Sequence, residues 1–94
     1  MSKAYLFAYS SQLGDRDSIK ELLNSNYMVS KWRYDMPNSF YIISDYSAHQ
    51  LADEIFRLGG SKGRFIVTEI PDNSWGWLTE ESWHLIQYHE YKPK

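Results

Sequence analysis

The chain contains no cysteine. That excludes a disulfide framework and a cysteine-ligated zinc site, and it agrees with a reducing compartment. Long hydrophobic runs are missing too. The short apolar stretch after Met1-Ser2-Lys3 lacks the length and cleavage pattern of a signal peptide or a membrane span, so no membrane partner is expected and the location is expected to be cytoplasmic. Nor is there an excess of positive charge. The formal net charge is -2, which argues against a generally basic nucleic-acid binder, because non-specific affinity comes mostly from cations that neutralise phosphates. The balance is uneven along the chain. Residues 1–34 hold five Lys or Arg against three acids, and residues 35–94 hold five against nine, which leaves room for a local basic patch. No internal repeat, linker or low-complexity stretch interrupts the sequence.

What is present is apolar and aromatic. Ninety-four residues fit a single domain, 1–94, with one core. At 43% hydrophobic and 17% aromatic, with four Trp and eight Tyr, the chain has enough apolar material to offset its ordering entropy without staples.

The run Ala4-Tyr5-Leu6-Phe7-Ala8-Tyr9 is apolar on both alternating sets and reads as a central strand. Asp15 or Asp17 can cap a helix striped by Ile19, Leu22 and Leu23 and ending near Asn24-Ser25-Asn26. Residues 28–34 suggest a strand, a turn follows at Met36-Pro37-Asn38, and Phe40-Tyr41-Ile42-Ile43 forms the return strand. Ser47 and Gln50 make a capping box for a helix with Ala48, Leu51, Ala52, Ile55 and Leu58 on its apolar stripe, closed by Gly59-Gly60. Residues 64–70 are the clearest strand, stopped by Pro71. In the closing segment, 72–88, a Trp-bearing loop leads to a short helix capped by Thr79 and anchored by Trp83 and Ile86; residues 89–94 form a polar tail expected to fray. The order is β-α-β-β-α-β with a short C-terminal helix, an α/β (α+β) fold of ferredoxin-like type.

Two helices on one face of a four-stranded sheet leave the other face in need of a cover. Tyr5, Phe7, Trp32, Tyr41, Phe65 and Val67 are candidates for that face, without a fixed assignment between the two sides. The C-terminal segment, a second copy or stacked bases can close it; a second copy with C-terminal contacts is expected, giving a homodimer, with Trp75, Trp77 and Trp83 as anchors against the sheet or at the interface.

Several steps of the sequence carry a family resemblance. Leu6-Phe7-Ala8-Tyr9 runs into Gly14-Asp15-Arg16-Asp17, the second hairpin strand opens Asn38-Ser39-Phe40, Asp45-Tyr46-Ser47-Ala48 enters the second helix, and Trp75-Gly76-Trp77-Leu78-Thr79-Glu80-Glu81-Ser82-Trp83 closes the chain. Over residues 3–86 it resembles the SinR-like branch of the Cas-two-like family, which includes CRISPR-associated and VapD-related proteins. The resemblance implies a ferredoxin-like homodimer associated with nucleic acid, RNA or DNA, in a defence or toxin setting. In the family's nucleases an Asp directly after the first-strand aromatic, paired with its symmetry mate, holds a divalent metal. The matching residue here is Ser10, a poor ligand for magnesium.

The expected activity is therefore a weak or lost metal-dependent endoribonuclease. Catalytic candidates are Ser10, Asp15 and Asp17; no metal site is assigned, and magnesium is the cofactor only if cleavage persists. The two acids read more economically as caps of the first helix. Arg16, Lys20, Lys31 and Arg33 are the candidate nucleic-acid contacts, expected to gather in a shared cleft. His49, His84 and His89 lack a metal spacing, and Gly59-Gly60-Ser61-Lys62-Gly63 lacks the Walker spacing. The alternative is a noncatalytic module that binds another protein through its aromatic sheet face or Trp segment.

Overall fold

Alternation of large side chains along short β-rich runs builds the sheet, and it fixes which face each side chain joins. The computed structural model describes residues 1–93. Its elements are β1 (Lys3–Tyr9), α1 (Arg16–Ser25), β2 (Val29–Arg33), β3 (Ser39–Ser44), α2 (Ala48–Leu58), β4 (Phe65–Glu69) and α3 (Glu80–Tyr88). The four strands form one antiparallel sheet in the order β2-β3-β1-β4, so β1 and β3 are central and β2 and β4 are edges. The result is an α+β domain with three helices.

In the register, Phe7 lies opposite Phe40 and Val67, and Tyr5 lies opposite Ile42. These residues share a face with Tyr9, Trp32 and Phe65, and they pack against Ile19, Leu22 and Leu23 of α1 and Leu51 and Ile55 of α2. Five of the six residues expected to seek a second cover thus lie under α1 and α2; Tyr41 alone is on the other side. Aromatic contacts knit this core, with Phe7 edge-on to Phe65 at 5.7 Å and Trp32 edge-on to Phe40 at 5.5 Å. The Tyr5 phenol reaches the core edge and donates to the Tyr46 carbonyl at 2.7 Å.

Caps set the helix limits. The Asp15 carboxylate accepts from the Ser18 N–H at 2.9 Å, which selects Asp15 over Asp17 as the start of α1. The Ser47–Gln50 box is reciprocal, at 3.1 and 2.9 Å. After α2, Gly63 has φ +80°, and a Cβ there would lie 2.7 Å from the Leu13 backbone nitrogen. Only glycine fits where this link passes beneath the β1–α1 loop.

The closing helix differs from expectation in its anchor. Thr79 caps it as read, but Leu85, fully buried, is its apolar anchor, while Trp83 and Ile86 are only half-buried. Leu85 packs on Ala4 and Ile43 with Ile70 and Ile86 beside it. This second cluster lies on the sheet face opposite α1 and α2, so α3 covers part of that face within the same chain.

Candidate interaction surface

Parity assigns the second sheet face. Ala4, Leu6 and Ala8 of β1, Ser39, Tyr41 and Ile43 of β3, Ile66 and Thr68 of β4, and Lys31 and Arg33 of β2 share it, as their pairings show. Residues 70–79 carry the chain from the β4 edge to Thr79, which meets Asp35 just beyond β2. There a polar knot pins the start of α3. Arg33 Nε donates to Ser82 Oγ at 2.9 Å, Thr79 Oγ1 donates to Asp35 Oδ1 at 3.0 Å, and the Thr79 N–H donates to Asp35 Oδ2 at 3.3 Å. Tyr41 is buried under this corner, and its phenol has no hydrogen-bond partner among the described residues. Burial first, and the Asp35 carboxylate second, push that phenol up to about 12.

The half of the face toward β4 is left uncovered. Leu6 and Ala8 are half-buried and Ile66 is 61% exposed. Trp75 and Trp77, expected to anchor against the sheet or a partner, are 86% and 92% exposed; neither packs into its own chain as a core residue. Trp75 lies against Trp83 with ring centroids 5.6 Å apart. Between the Trp75 loop, α3 and the start of β1 is a cleft of about 670 Å³ whose walls include Lys3, Glu69, Asp72 and Trp83. Lys3 and Glu69 meet there at 3.7 Å. Trp75, Trp77 and Ile66 are thus large apolar side chains left exposed; contiguous exposed patches of that kind often mark interaction surfaces.

Of the candidate catalytic residues, Ser10 and Asp15 make structural hydrogen bonds and Asp17 lies on the surface. The Ser10 N–H donates to the Arg64 carbonyl at 2.8 Å and its hydroxyl accepts from the Arg64 N–H at 3.1 Å, closing the β1–β4 end of the sheet. Asp15 caps α1, with its carboxyl held below the ordinary value by the backbone amide and then the hydroxyl of Ser18. Asp17 is exposed, 3.9 Å from Lys20. Among the described residues no group of three or more His, Asp or Glu is placed to hold a metal, and no helix is long and apolar enough to cross a membrane.

The four basic candidates divide into two pairs. Arg16 and Lys20 converge on the Tyr34 ring, at 4.3 and 5.1 Å from its centroid. Lys31 and Arg33 lie on the opposite sheet face, where Lys31 meets Glu90 at 3.5 Å and Arg33 joins the Asp35 knot. A single cleft within one chain does not contain all four. Sequence reasoning missed Asp35, Ser82 and Tyr91, each of which joins segments 44 or more positions apart. No local pattern marks such partners.

Models of known families, curated proteins and solved structures were compared with the chain, and none matches.

Proposed function

We propose that the protein is a ferredoxin-like, Cas-two-like homodimer that acts by binding nucleic acid, with its metal-dependent nuclease chemistry degenerate or lost. The half-bare second sheet face, where Ile66 is exposed, together with the exposed Trp75 and Trp77 of the closing loop, carries this reading. A two-fold dimer buries such a patch twice. The β2-β3-β1-β4 order and the two helices on one face support the ferredoxin-like description. Ser10 supports the loss of cleavage, because a hydroxyl engaged by the Arg64 amide replaces the carboxylate that the resemblance implies. Arg16 and Lys20, drawn together on Tyr34, are the phosphate contacts of this reading.

The test joins sedimentation with nucleic-acid assays on the full chain. A species of twice the 11.2 kDa chain mass is expected at micromolar concentration, together with salt-sensitive binding of labelled RNA or DNA that weakens on charge reversal at Arg16 and Lys20. Cleavage with magnesium or manganese that disappears in an Asp15→Ala, Asp17→Ala variant would restore the active-nuclease reading. A second reading, a noncatalytic module for another protein, is favoured by the exposure of Trp75 and Trp77. Salt-independent absence of nucleic-acid binding would select it.

A further inference from the structure

β2 is an edge strand, and the outward backbone groups at its centre are already occupied. Trp32 lies opposite Ile42 of β3. Its N–H donates to Tyr91 Oη at 3.2 Å, and Tyr91 Oη donates to its carbonyl at 3.1 Å. One phenol therefore satisfies the donor and the acceptor that a neighbouring strand would satisfy. Glu90, 3.5 Å from Lys31, reinforces the contact, while Lys92, 2.6 Å from Glu80, ties the tail to the start of α3. In the tail read from the sequence as frayed, Glu90 and Tyr91 are thus held at the β2 edge without forming a strand themselves.

The hold is made by side chains alone, and Tyr91 is 53% exposed, so it opens more readily than a backbone ladder would. Opening it leaves the Trp32 N–H and carbonyl facing outward between two different borders. On the α3 side is Lys31, whose present partner is a carboxylate, while Arg33 stays engaged with Ser82 and Asp35. On the other side is the half-buried ring of Trp32, while the Tyr34 ring beyond it is taken by Arg16 and Lys20. Strand addition takes affinity from such main-chain groups and specificity from alternate side chains.

We propose that the outer edge of β2 docks an extended segment of a partner protein, one that alternates a carboxylate for Lys31 with an apolar side chain for Trp32. Glu90 and Tyr91 are the chain's own stand-in for that segment. The site lies at the edge opposite β4 and is independent of the dimer reading.

The test uses the full chain and a Tyr91→Phe, Glu90→Gln variant, with a capped heptapeptide alternating Glu and Val as the probe. In the variant the Trp32 amide is expected to exchange about tenfold faster, with the thermal midpoint little changed. The peptide is expected to shift amide resonances of residues 29–34 in both proteins and to bind the variant about tenfold more tightly, since the tail no longer competes. A Lys–Val peptide of the same length is expected not to bind. Equal affinity for the two proteins, no shifts at millimolar peptide, or shifts at β4 would each overturn the proposal. Self-association of the variant through β2, seen by sedimentation, would overturn it in favour of a second copy as the occupant.

Discussion

At the scale of single residues, two ionisable side chains connect stability to pH in opposite directions. The Asp15 carboxyl is lowered in the fold by the Ser18 amide and hydroxyl. Its contribution is complete above the ordinary carboxylate value, about 3.9, and is lost as pH falls through the lower folded value. Glu54 beside Arg57 and Glu80 beside Lys92 are shifted the same way. Asp15→Asn keeps a capping side chain without the titration, so the urea midpoint should fall less steeply with acid than in the parent; an unchanged slope would refute this. Tyr41 has the opposite sign. Its phenol is raised from 10.0 to about 12, so stability holds below the lower value and is lost as pH rises through the upper one. Tyr41→Phe should flatten that alkaline limb. At neutral pH it should leave stability unchanged or raise it by about 1 kcal/mol, because a buried hydroxyl without a partner among the described residues is removed. Chemical denaturation on both sides of neutrality measures both effects. Asp15 as a cap was legible in the sequence because capping is local. The Asp35–Thr79 bond was not, because it spans 44 positions and follows no period.

Among the elements, α3 shows how legibility depends on what packs against what. Strand and helix positions followed from periodicity and punctuation: the Ser47–Gln50 box, the apolar stripe of α2 and Pro71 after β4 all read directly. The anchor of α3 did not. Trp83 looked the stronger candidate by size, yet Leu85 points at Ala4 and Ile43 and is fully buried. The faces of β1 and β3 were equally ambiguous, since both alternating sets are apolar and only the cross-strand register separates Tyr5 and Phe7 from Leu6 and Ala8. Leu85→Ala is therefore expected to cost about 2–5 kcal/mol and to raise hydrogen exchange throughout α3, whereas Trp77→Ala should leave the chain's own stability nearly unchanged because that ring is 92% exposed. Equal losses from the two substitutions would mean that the Trp loop, too, supports the fold.

For the whole molecule, the bare half of the second face is the surface that the proposed dimer would bury. If the proposed dimer uses it, Ile66→Glu should shift sedimentation toward 11.2 kDa while preserving the circular-dichroism spectrum of the parent, because Ile66 is exposed and its loss opens no cavity. Retention of the dimer in that variant would move the interface elsewhere. The candidate site was legible as a need, two helices being too few for two sheet faces, but its extent was not, because α3 covers part of the face in the same chain. The manner of that covering matters further. Strands β1 to β4 are tied by continuous backbone pairing, whereas α3 is attached by Leu85 and a handful of side-chain bonds to Arg33 and Asp35. Such a helix can lift as a unit of its own while the sheet and its other two helices persist. In that opened species Ala4, Ile43 and Ile70 join Leu6, Ala8 and Ile66 in one continuous oily strip. The Asp35 knot is one of the contacts that keep that strip closed, so a protease probing the folded chain would read the opening of this helix as cleavage near residues 70–79.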